Sequence, residues 1–292
     1  MQKIKLFFLF ALLLVSFDAV AQAEKLKPGF DKSEYLDMLR LTARQVDTPW
    51  TNVKLPYPEK FEFAYRSPIV GLKNRWDLWI SKDSVAVISV RGTTLDPVSW
   101  LANFYAAMVP AVGELKISND FTFSYHLADN PKAAVHVGWL VALACLSTDI
   151  LHKIDSCDHA GIKNFILFGH SQGGAITYLL TSYLLNLQKT GKLPADLHFK
   201  TYFSAPPKPG NLFYAYDFEN GTRGGWAFRI VNTADWVPEF PFSIQTVNDF
   251  NEVNPFEDVD AIIGKKKFPV NIILRHTYNR LKTPPKKAQK KI

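Results

Sequence analysis

Cysteine is nearly absent: Cys145 and Cys157 are the only two in 292 residues. So few thiols exclude the disulfide framework on which small secreted domains depend. The first falls inside one predicted helix and the second near its end, too far apart to bond without a sharp reversal, so two free thiols are expected. Metal signatures are missing as well. His152, Asp155, Cys157 and His159 lie close together, but at no spacing that matches a zinc site. The acidic stretch Asp249, Glu252, Glu257, Asp258 and Asp260 lacks the spaced glycine of a calcium loop and reads as a solvated loop. No metal and no cofactor is implied. Repeats, linkers and low-complexity runs are also lacking before residue 282, which leaves one large domain.

The chain opens with MQKIKLFFLFALLLVSFDAVAQAE. Two lysines precede an apolar core from Ile4 to Phe17, and Ala21-Gln22-Ala23 supplies the small-x-small pattern of a signal peptidase site. The core is shorter than the roughly 18 residues that span a bilayer, so residues 1–23 read as an export signal rather than an anchor. An extracellular or periplasmic protein is expected, cleaved after Ala23, with no stable transmembrane segment remaining. Removing Lys3, Lys5 and Asp18 takes the formal net charge from +7 to +6. At the other end KTPPKKAQKKI, residues 282–292, is basic and broken by proline, and reads as a frayed, solvated tail. Nothing reads as a nucleic-acid interface, and the oligomeric state is open.

Between these ends the periodicity alternates. SEYLDMLRLTARQ (33–45) has a serine cap and helical spacing. RWDLWI (75–80) and SVAVISV (84–90) flank a short turn and predict a hairpin. VGWLVALACLSTDILHKI (137–154) is too long for a strand and apolar nearly all round, as a buried helix would be. FILF (165–168) reads as a central parallel strand, followed by a second helix after Gly174. LHFKTYFSA (197–205), WAFRIVN (226–232) and PVNIILRH (269–276) read as further strands. Strands alternating with helices predict a doubly wound, mostly parallel α/β sheet with helices on both faces. In such folds the functional residues stand in loops beyond the carboxyl ends of the strands.

GHSQGGA at 169–175 carries the chemistry. GHSQG fits G-x-S-x-G, in which a strand turns sharply into a helix and pushes a serine hydroxyl outward. Alone the pattern arises by chance in roughly one chain in ten of this length. Its placement between an apolar strand and an apolar helix is what the mechanism requires. A nucleophilic serine needs a base, and the base an orienting acid, in the chain order serine, acid, histidine. Downstream of Ser171 stand His198, which alternates within a predicted strand, and His276, which ends the last strand-like run. For the acid, Asp235 follows the strand WAFRIV directly. Asp217 has no clear strand before it.

Several motifs in register resemble one known family. RGT (91–93), HVGW (136–139), GHSQGGA (169–175), SAPPKPGNLF (204–213) and RIVNTADWVP (229–238) are similar in order and spacing to the class 3 lipases, the fungal-lipase-like branch of the α/β-hydrolases. The resemblance covers about residues 30–280. It implies Ser171 as nucleophile, Asp235 as acid and His276 as base. It implies an oxyanion hole from Thr93, through its backbone N–H and hydroxyl, and from the backbone N–H of Gln172. His136 matches a position that supports the elbow. The implied activity is two-step acyl transfer on lipid or acyl esters at a lipid–water interface. Alternatives are a phospholipase, another acyl-ester or thioester hydrolase, or a silent binding protein on the same scaffold.

Three features depart from the family's pattern. Leucine is usual where Gln172 stands, and this chain has Ser99-Trp100 where a charged or amide residue commonly precedes the tryptophan. Only the backbone of Gln172 is needed for an oxyanion hole, so its side chain is free to pack or to hydrogen-bond near a bound acyl group. SWLANFYAAMVPAV (99–112) carries no charge; it reads either as an ordinary packed helix ending near Pro110 or, as family position implies, as a lid that includes Trp100, Leu101, Phe104 and Tyr105. The segment from Thr94 to Val135 is long for this family. The domain proper is expected to span residues 24–281.

Overall fold

The computed structural model describes residues 26–46, 52–241, 243, 245–249, 254 and 256–290. The export signal and part of the acidic stretch therefore lie outside the described residues. A six-stranded sheet forms the centre, in the order β1-β2-β3-β8-β9-β10. Its strands are β1 (Phe61–Arg66), β2 (Trp76–Ser81), β3 (Val85–Val90), β8 (Asn164–His170), β9 (His198–Ser204) and β10 (Ala227–Ile230). The expected hairpin is present: β2 and β3 pair antiparallel, with Ser84 N donating to Ser81 O across the turn. From β3 onward every pairing is parallel.

The central parallel strands β3 and β8 are largely apolar because both faces are covered. Ala86, Ile88, Val90, Phe165 and Leu167 point into one core and Val85, Val87, Ile166 and Phe168 into the other. The first core is covered by α3 (Val137–His159) and α4 (Gln172–Lys189). Though α3 is long and apolar enough to cross a membrane, most of it is buried against the sheet. The second core is covered by α1 (Lys32–Thr42) through Met38 and Leu41. The cap of α1 is Asp31, not the expected serine; its Oδ1 accepts from Ser33 N and Glu34 N. A buried ion pair clamps this helix down: Lys200 Nζ donates to Glu34 Oε2 at 2.7 Å, and Tyr202 Oη donates to the same oxygen at 2.6 Å.

The long segment from Thr94 to Val135 is accounted for by extra structure. It holds α2 (Pro97–Phe104), β4 (Met108–Pro110), the hairpin β5 (Val112–Lys116) with β6 (Thr122–His126), and then β7 (Ala134–His136), which pairs with β4. After β9 come α5 (Leu212–Gly221) and β10.

The last expected strand is not one. PVNIILRH belongs to α7 (Val270–Gln289), which follows the short α6 (Val259–Gly264). Val270, Ile273, Leu274 and Leu281 recur at three-, four- and seven-residue steps, so the apolar run also fits a helix, and a short run cannot be told apart by apolarity alone. The sheet ends at β10 among the described residues. Residues 282–289, read as a frayed tail, continue α7 with Pro284 and Pro285 inside it.

Candidate active site

Strand β8 delivers the chain to Ser171 at the carboxyl edge of the sheet, and α4 begins at the next residue. Ser171 has φ 55° and ψ −128°, a conformation non-glycine residues adopt at a cost of about 1–3 kcal/mol. Its surroundings hold it there. Ser171 N donates to Ser204 O at 2.9 Å, while Gly174 N and Ala175 N donate to Ser171 O. The glycines permit close approach: a β-carbon on Gly173 would lie 2.3 Å from Val90 O, and one on Gly169 would lie 2.2 Å from Gly173 O. Strand, turn and helix are thus locked by contacts that no larger residue allows.

The RGT loop rests against this turn. A β-carbon on Gly92 would meet His170 O at 2.8 Å and lie 3.8 Å from Ser171 Cβ. Thr93 is therefore fixed beside Ser171, opposite the start of α4. Neither Thr93 N nor Gln172 N donates a hydrogen bond among the described residues. Two unspent backbone donors, one at a helix N-terminus, flank a strained serine; such a pair suits a developing oxyanion.

Gln172 is buried and hydrogen-bonded on both sides of its amide. Its side chain is 1% exposed. Thr93 Oγ1 donates to Gln172 Oε1 at 2.7 Å, and Gln172 Nε2 reaches Asn74 Oδ1 at 3.4 Å. Asn103 Nδ2 donates to Thr93 Oγ1 at 3.0 Å, and Trp139 Nε1 donates to Asn103 Oδ1 at 3.2 Å. The elbow, the RGT loop and α2 thus share one polar chain. Neither Asn74 nor Asn103 was singled out from sequence, although Asn103 is the one amide in the uncharged run SWLANFYAAMVPAV. An isolated amide in an apolar helix was the available signal.

His136 acts on α2 rather than on the elbow itself. Its Nε2–H donates to Asn103 O at 3.1 Å, its ring stacks on Trp139 at 3.7 Å, and a β-carbon on the neighbouring Gly138 would lie 2.2 Å from Ala102 O. Burial holds the His136 pKa down to about 4, so the ring is neutral. Beneath α2, Ser99 and Ala102 are buried. Above it Trp100, Leu101, Phe104 and Tyr105 are exposed, Phe104 to 67%, and Trp100 stacks on Phe104.

Asp235 stands where the sequence placed it, in the loop after β10, and its Oδ1 accepts from Val237 N at 3.0 Å. Its charge is felt by His170, whose pKa is lowered by desolvation and partly restored by Asp235. The His170 ring meets Ser204 Oγ at 3.1 Å, an oxygen shared with Tyr35 Oη. Ser171, Thr93, Gln172 and Asp235 therefore gather at the carboxyl edge of the sheet. His276 is not brought to them: it is exposed on α7 and makes no hydrogen bond or ion pair among the described residues.

Comparison with known proteins follows the same outline. The sequence model of the class 3 lipases matches residues 87–245. A secreted mono- and diacylglycerol lipase of Fusarium solani is 30% identical over 191 residues, covering 64% of this chain and 49% of that protein. The chain thus spans about half the length of that relative. A mutant form of MDLA from Penicillium cyclopium superposes with a TM-score of 0.52 at 19% identity, covering 73% of this chain and 76% of that one. A fungal lipase in an inhibitor complex superposes with a TM-score of 0.50 at 18% identity, covering 72% and 73% respectively. These structures share the α/β-hydrolase-like fold. With the elbow, the RGT loop and the Asp235 loop all inside the matched region, the chain belongs to the class 3 lipase family.

Proposed function

We propose that this protein is a serine carboxylester hydrolase acting on lipid or acyl esters, with Ser171 as nucleophile. The observation that carries this is the strained Ser171 between two backbone N–H groups that have no other partner. Ser171 attacks the ester carbonyl, the N–H groups of Thr93 and Gln172 receive the oxyanion, and water releases the acyl group in a second step. Asp235 is the orienting acid, supported by its loop at the end of β10. Chain order assigns the base to His276, which must reach Ser171 from α7 for this assignment to hold. The exposed aromatic face of α2 supports a lid that covers the site in water and turns toward a lipid surface. Residues 1–23 serve export and residues 24–281 make the hydrolase domain.

The test is release of fatty acid from emulsified acylglycerols and of p-nitrophenol from its acyl esters, with wild type and Ser171→Ala side by side. The wild type should be active and the variant silent toward both substrates and fluorophosphonate probes. Activity that survives Ser171→Ala sinks the reading. A lid predicts a jump in rate once the substrate exceeds its solubility; a flat profile removes the lid and leaves the nucleophile.

A further inference from the structure

The Thr93 hydroxyl sits between two side-chain amides. Asn103 Nδ2 donates to its oxygen at 3.0 Å, while its own proton goes to Gln172 Oε1 at 2.7 Å. With the proton held there, the hydroxyl faces away from any oxyanion in front of Ser171. On the far side, Gln172 Nε2 meets Asn74 Oδ1 at a long 3.4 Å, and the buried Asn74 Nδ2 has no partner among the described residues. An unpaired buried donor is costly. A half-turn of both amides exchanges their oxygen and nitrogen atoms without moving the backbone. Asn74 Nδ2 then donates to Gln172 Oε1, and Gln172 Nε2 donates to Thr93 Oγ1. With two amide donors on its oxygen, the hydroxyl has both lone pairs filled, and its proton must point elsewhere.

We propose that Gln172 is a positioning residue that, by donating through Nε2 to Thr93 Oγ1, turns the Thr93 proton toward the oxyanion and adds a side-chain donor to the two backbone ones. The proposal rests on Ser171 being the nucleophile. Asn74 and Asn103 hold the two ends of this device, and Asn103 ties it to α2, so displacement of α2 removes one of the two donors on Thr93. The usual leucine of the family at position 172 supplies no amide, so this arrangement departs from the common pattern.

Measure kcat and KM on a soluble short-chain p-nitrophenyl ester for wild type, Gln172→Met, Gln172→Glu, Thr93→Val and the double variants. Methionine fills a similar volume without a donor, and should lower kcat about ten-fold with KM within about two-fold. That is less than the 100-fold or more typical of removing an oxyanion donor outright. An ionised glutamate only accepts, holds the proton in the turned-away position, and should be slower still. In the Thr93→Val background neither change at 172 should lower kcat further, an outcome a merely structural role would not give. Wild-type kcat in Gln172→Met and Gln172→Glu, or equal losses with and without Thr93, would overturn the proposal. Unchanged circular dichroism confirms that the variants are folded, and full activity in Ser171→Ala would instead condemn the underlying reading.

Discussion

The elbow around Ser171 and the helix α7 that carries His276 are built on opposite terms. Around Ser171 every glycine has a neighbour that forbids a side chain, and the serine backbone is held by three hydrogen bonds. On α7, Phe268 just before it and Val270, Ile272, Ile273, Leu274 and Leu281 along it are exposed, and Tyr278 is its one buried residue. Contact forces the strained serine into a single shape, whereas His276 has its place on a helix surface from local periodicity alone. The difference separates the proposed nucleophile, fixed by the fold, from a proposed base assigned by order along the chain.

The sharpest way to break the comparison is at its two chemical ends. Ser171→Ala should lower kcat by about 10⁴-fold or more with the fold intact, read by ester hydrolysis. His276→Ala should cost about 10³-fold or more if α7 delivers the base. Activity near wild type would move the base off α7. His170→Ala is expected to cost about ten-fold at most because its ring touches Ser204 Oγ at the end of β9 rather than the reacting atoms.

Stability sharpens the same contrast. Gly173→Ala drives a β-carbon to 2.3 Å from Val90 O and should destabilise by roughly 3 kcal/mol or more in urea titration. Removing Glu34 strands Lys200, and Glu34→Ala should cost about 3 kcal/mol or more. Acid acts through His136: its pKa is about 4 in the fold and 6.5 when exposed, so the unfolded chain takes up the proton first. This contribution is complete above pH 6.5, falls between pH 6.5 and 4, and amounts to at most about 3 kcal/mol. A His136→Gln variant should show a shallower loss over that window, and an identical slope would remove the histidine from the account. At the small end, Ile272→Ser on exposed α7 should change stability by less than about 0.5 kcal/mol.

Much of this molecule was legible in the residues. The hairpin at β2 and β3, the central strand β8, the helices on both sides of it and the turn at Ser171 all follow from apolar period and glycine placement. PVNIILRH reads as a strand because eight residues mix strand-like apolarity with helical spacing, and only the continuation of the helix to Gln289 separates the two. Asn74 is invisible as a partner of Gln172 because 98 residues separate them, and Asn103 meets Gln172 only through Thr93. Their hydrogen bonds exist only once β8, the RGT loop and α2 are stacked.

Sequence alone determined the elbow, since a serine among glycines between an apolar strand and an apolar helix has few other conformations available. It also determined the family, because several short motifs kept their order over most of the chain. Tertiary structure decided what surrounds them. It turned Gln172 from an odd neighbour into the partner of Thr93, moved the work of His136 onto α2, and set His276 on a helix apart from Ser171. Short-range backbone geometry is written in neighbouring residues, while buried polar partners depend on which distant segments the hydrophobic cores press together.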